Sequence, residues 1–132
     1  MKAFAALYRQ LDASTSTAHK VDAMQRYFES APPADAAWAA YFPAGGKPRQ
    51  AVPTAVLRAS AGDAAAIDDW LFEACYQAVG DLAETIAHVV PLPDDAAHDD
   101  AGLAAWIEQR LLPLRGEPPP VQAEALRGWW RQ

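Results

Sequence analysis

The run KAFAALYRQLDASTSTAHKVDAMQRYFESAPPADAAW, residues 2–38, decides the fold class. Within it Phe4, Leu7, Tyr8 and Leu11 recur at i, i+3, i+4 and i+7, the spacing of one face of a helix. Ser14-Thr15-Ser16-Thr17 then offers hydroxyl oxygens that can accept from the free N–H groups of a helix start. A second helix follows with Val21, Met24, Tyr27 and Phe28 turned inward, and Pro32 stops it. Pro33 suits the first turn of a third helix, where its missing N–H is not needed. Trp38, Tyr41 and Phe42 form the apolar face of that helix.

The same punctuation continues outward from this run. Gly45-Gly46-Lys47-Pro48-Arg49 reads as a loop, and Pro53 restarts a short helix through Val56 and Leu57 that Gly62 ends. Asp68 or Asp69 caps a helix carrying Trp70, Leu71, Ala74, Cys75 and Ala78 as far as Gly80. Asp81 and Glu84 have capping-box spacing and open a helix through Leu82, Ile86 and Val89. Residues 91–100 read as an acidic linker. Leu103, Trp106, Ile107 and Leu111 give another amphipathic face, and Pro118-Pro119-Pro120 is a stiff break before a last helix, Val121 to Trp130. Trp38, Phe42, Trp70 and Leu82 are assigned to the core. The expectation is an all-α, multi-helix bundle of short antiparallel helices, a single domain over residues 1–132.

Composition agrees. Alanine, the best intrinsic helix former, fills 31 of 132 positions, and 52% of the chain is apolar, enough to build a core. The single Cys75 excludes an intrachain disulfide framework. No stretch has the roughly 20 apolar residues of a membrane span, so a soluble cytoplasmic protein without membrane contact is expected. The net charge of −6 divides unevenly: residues 1–60 carry +3 and residues 61–132 carry −9. That split reads either as a front half meeting a polyanion or as chance.

Most chemistry-bearing patterns fail on inspection. His19, His88 and His98 have no metal-ligand spacing, and Cys75 has no neighbouring base. Lys47 is followed by Pro48 where a phosphate loop needs Ser or Thr. Three features remain. Thr15, Ser16, Thr17 and Lys20 stand at a helix N-terminus, where free N–H groups attract phosphate; alone, they read equally as capping residues. Lys47 and Arg49 add charge to a glycine-bearing loop, which alone reads as a solvated turn. Gly80-Asp81-Leu82-Ala83-Glu84-Thr85 marks another helix start, where Asp81 would repel phosphate unless it caps.

Taken in order, Phe4-Ala5-Ala6-Leu7-Tyr8, Thr15-Ser16-Thr17 with Lys20, Tyr27-Phe28 and Ala31-Pro32-Pro33-Ala34-Asp35-Ala36-Ala37-Trp38 resemble the start of bacterial ATP-dependent DNA ligases. So do Tyr41-Phe42 with Gly45-Gly46-Lys47-Pro48, Trp70-Leu71-Phe72-Glu73-Ala74-Cys75-Tyr76, and Val79-Gly80-Asp81-Leu82-Ala83-Glu84-Thr85-Ile86-Ala87. The likeness covers most of residues 1–90. It implies an all-helical DNA-binding domain preceding a nucleotidyltransferase domain and an oligonucleotide-binding fold. It further implies a non-catalytic N-terminal fragment of an enzyme that joins a 3′-hydroxyl to a 5′-phosphate with ATP and magnesium. Lys20-Val21-Asp22-Ala23 lacks the Gly of the family's adenylation signature and falls inside a helix. No cofactor is therefore expected in this chain, and the missing catalytic domain is an expected partner.

Under that resemblance Thr15, Ser16, Thr17, Lys20, Lys47, Arg49 and, more weakly, Arg58 contact the backbone of duplex or nicked DNA from the minor-groove side. They read no bases, and the protein is nucleoid-associated when bound. The competing expectation is a small helical protein-interaction module. In it Trp129 and Trp130, facing different sides of the last helix, leave one indole as an anchor without a partner in the chain.

Overall fold

The computed structural model describes residues 1–91 and 99–131 and is all-helical, with no strand among them. The helices are α1 (Lys2–Asp12), α2 (Thr17–Ser30), α3 (Pro33–Tyr41), α4 (Thr54–Ala65), α5 (Asp69–Val79), α6 (Leu82–Val89), α7 (Leu103–Ala105) and α8 (Pro119–Trp130). The helix at α7 widens into a π-helical stretch, Trp106–Leu111, and tightens again into a 3-10 turn, Leu112–Leu114. Among the described residues no helix is long and apolar enough to cross a membrane. The acidic linker expected at 91–100 falls mostly on residues 92–98, including His98, which lie outside the described residues.

The chain folds into two compact units, each built from two separated segments: Met1–Arg49 with Asp99–Pro113, and Gln50–His98 with Leu114–Gln132. In the first unit α1 packs on α2 and α3 packs on α7. Leu7, Ala23, Tyr27, Ala39, Leu103 and Ile107 form the core, with Phe4, Trp38 and Phe42 packed against it. Asp35 joins the two segments. Its carboxylate accepts from the N–H groups of Leu103 (3.0 Å) and Ala104 (2.9 Å), capping the start of α7 from α3. A Cβ at Gly102 would stand 2.7 Å from that carboxylate, so a larger residue there displaces the Asp35 side chain. Trp38 Nε1 donates to Glu108 Oε1 at 2.7 Å, a second tie between the segments.

In the second unit α4 is central, packing on α5, α6 and α8 around Ala61, Phe72 and Val90. Buried Gln122 of α8 donates from Nε2 to the carbonyls of Leu114 (2.9 Å) and Ala51 (3.3 Å). Asp81 caps α6 as its spacing predicts, accepting from Glu84 N–H at 2.8 Å, after Gly80 turns the chain at φ +85°.

Several expectations are corrected. Gly62 does not end α4; it is buried inside the helix, which stops at Ala66 in the left-handed conformation. Trp70 is not core: it is 69% exposed, because α5 turns Phe72, Cys75 and Tyr76 inward instead of the Trp70–Leu71–Ala74 stripe. Tyr8 and Val21 share their helices with inward residues but lie in solvent themselves, at 62% and 58% exposure. Neither terminal tryptophan is a bare anchor: both are half-buried, and Trp130 packs against the second core. Asp99, expected in a solvated linker, pairs with Arg110, whose guanidinium also lies 4.5 Å over the Trp106 ring.

Candidate nucleic-acid interface

Helix α2 begins as its hydroxyl-rich start dictates. Ser16 is the N-cap, its Oγ accepting from His19 N–H at 3.4 Å, while Ser14 Oγ accepts from Ser16 N–H at 3.2 Å. The capping reading of Ser16 is therefore realised, which leaves its hydroxyl proton as its remaining polar capacity. Thr15 and Thr17 are exposed, and Lys20 is half-buried one turn into the helix.

The glycine loop has an architectural reason of its own. Gly45 sits at φ +86°, and a Cβ on Gly46 would clash with the ring and carbonyl of Tyr41 at about 2.5 Å. Gly45 N–H donates to the Phe42 carbonyl (3.0 Å) and Gly46 N–H to the Tyr41 carbonyl (2.8 Å). Both amides that would cradle a phosphate are thus spent closing α3. The exposed side chains of Lys47 and Arg49 are what the loop offers an anion.

Leu11 and Asp12 at the close of α1, Phe42 and Pro43 at the close of α3, and exposed Tyr8 line one hollow of about 270 Å³. Only residues 13–16 separate α1 from α2, and the loop that carries Lys47 and Arg49 leaves α3 at Pro43. Among the described residues Lys20, Lys47 and Arg49 have no carboxylate partner, and Asp12 lines the hollow between α1 and α3.

Arg58 belongs to the second unit. Its guanidinium is paired with Glu73 and lies 5.1 Å from the Tyr76 ring centroid and 5.7 Å from that of Phe72. It ties α4 to α5, and its charge is largely committed.

The charge split of the sequence also changes on folding. The first unit loses Arg58 and gains Asp99, Asp100, Glu108 and Arg110, so seven basic and seven acidic side chains cancel. The second unit holds four basic and ten acidic residues. What distinguishes the first unit is which charges are left over. Asp35 caps α7, Asp22 pairs with Arg26, Asp99 with Arg110, and Glu108 with the Trp38 indole. Asp99 is held below the ordinary carboxylate range, first by the Ala101 N–H bond and further by Arg110.

Comparison with protein-family models, with curated proteins and with solved structures finds no match for this chain.

Proposed function

We propose that the chain binds duplex DNA near a nick without reading sequence, as the N-terminal part of an ATP-dependent DNA ligase. The supporting observation is that Lys20, Lys47 and Arg49 all belong to the first unit and have no carboxylate partner among the described residues, while Thr15 and Thr17 stand exposed at the start of α2. Cations without internal partners release counterions from a phosphate backbone when they bind it; cations already paired do not gain in the same way. Thr15, Thr17 and the hydroxyl proton of Ser16 add hydroxyl contacts at the positive end of the α2 dipole. Arg58 contributes least, because Glu73 already neutralises it. ATP and magnesium would act in further domains of the ligase, and this chain would position the duplex for them.

The test is a titration of nicked duplex at two salt concentrations. Affinity should fall steeply with salt, with a slope near −0.9 for each phosphate contact made. Lys20→Glu and Lys47→Glu should each weaken binding about tenfold and flatten that slope by about one contact. Absent binding, binding indifferent to salt, or full affinity after both charge reversals would remove the reading.

A further inference from the structure

A hollow of about 490 Å³ lies between α4 and α5 in the second unit. Ala55, Arg58 and Ala59 line one side; Asp69, Trp70, Phe72 and Glu73 line the other. The two alanines leave the room, and Trp70, the most exposed large apolar side chain described, stands at it. Phe72 and Tyr76 face the core side of α5 and hold Arg58 between ring faces and Glu73. The Arg58–Glu73 pair is therefore internally neutral, and Asp69 is the charge left over in the hollow. Asp68 precedes it at the N-cap with no side-chain capping bond, and the unit around both is strongly acidic.

An open indole face beside an unpaired carboxylate is the arrangement that recognises an alkylated or guanidinium cation. The cation sits over the ring, its aliphatic stem covers apolar floor, and the carboxylate fixes its head. A phosphate backbone would meet repulsion from Asp68, Asp69 and the surrounding acidic unit. We infer that this hollow docks an arginine- or lysine-bearing segment of a partner protein, with Trp70 as the anchor and Asp69 as the charge contact. Tryptophan is the residue type that most often dominates such contacts. Trp70 and Asp69 are not among the residues assigned to DNA, and the inference stands or falls independently of that assignment.

Isothermal titration of the full chain with a short peptide of alternating arginine and alanine tests it, a glutamate-for-arginine peptide serving as control. The basic peptide should bind and the acidic one should not. Trp70→Ala should weaken binding about tenfold or more, and Asp69→Asn by several-fold. Glu117→Gln, an exposed carboxylate of the same unit that does not line the hollow, should leave binding unchanged. Thermal melts by circular dichroism should show Trp70→Ala and Asp69→Asn folded, since both side chains are exposed. Equal binding by Trp70→Ala and the unaltered chain would overturn the inference, as would equal loss in Glu117→Gln, which signifies diffuse charge attraction. Self-association or duplex DNA binding that Trp70→Ala abolishes would overturn it too, by assigning the hollow to another occupant.

Discussion

The two units handle charge in opposite ways. In the first, four of the seven acidic groups are consumed by architecture: Asp35 caps α7, Asp99 and Asp22 pair with arginines, and Glu108 holds the Trp38 indole. Lys20, Lys47 and Arg49 are left unpaired in a unit whose formal charge is zero. In the second, two of the four arginines are consumed. Arg58 is held by Glu73 and two rings and Arg127 by Glu124, which leaves carboxylates such as Asp68 and Asp69 over. Net charge is thus a poor guide to what a partner meets. The residue of charge after internal pairing is the better one, because paired groups have already exchanged their hydration for each other.

The sharpest way to break this comparison is to disturb each unit separately. Phe72→Ala removes a buried ring from the second core and should cost about 3–4 kcal/mol in urea unfolding. Hydrogen exchange should speed first in α4, α5 and α6 amides. Equal loss of protection throughout α1 and α2 would show that the division into units has no energetic counterpart. Asp35→Ala should cost about 2–3 kcal/mol, since two amide donors of α7 lose their acceptor. Gly102→Ala should act on the same contact, so the double variant should be clearly less than additive.

Arg58→Ala sharpens the contrast between engaged and free cations. It should destabilise the second unit by about 1–2 kcal/mol through lost ring and stem packing, with nicked-duplex affinity nearly unchanged. Lys47→Ala should do the reverse, lowering affinity and leaving the urea midpoint where it was.

The smallest effects are those of pH on the first unit. Asp99 has a lowered pKa when folded, so its contribution is complete above the ordinary carboxylate range and fades as pH falls below about 4. Tyr27 is raised by burial and by the nearby Asp35 charge. Its contribution is complete below about pH 10 and is lost as pH climbs through the raised value. Urea midpoints across pH should therefore bracket the first unit from both sides, and Asp99→Asn should flatten the acid limb.

Much of the helical framework was legible because its signals are local. Pro32-Pro33 and Pro53 mark the boundaries they predict, and Asp81 caps α6 at the expected spacing. The inward stripe of α5 was misread because Trp70 is large and apolar. Phe72 and Tyr76, four apart, carried the correct face, and Trp70 lies about 160° around the helix from Phe72. The role of Asp35 was not legible at all. It looks like a first-turn acid of its own helix, yet its partners lie 68 and 69 residues along the chain.

The sequence by itself determined an all-helical chain, its breaks, and the residue types that could face an anion. Propensity, capping and proline geometry act within a few residues of each other, so a linear reading reaches them. Only the tertiary structure decided that residues 99–113 complete the first unit, that Arg58 is already paired, and that Trp70 faces water. Each depends on which distant groups arrive beside a given side chain, and the free energy of a charge or a ring is set by those neighbours.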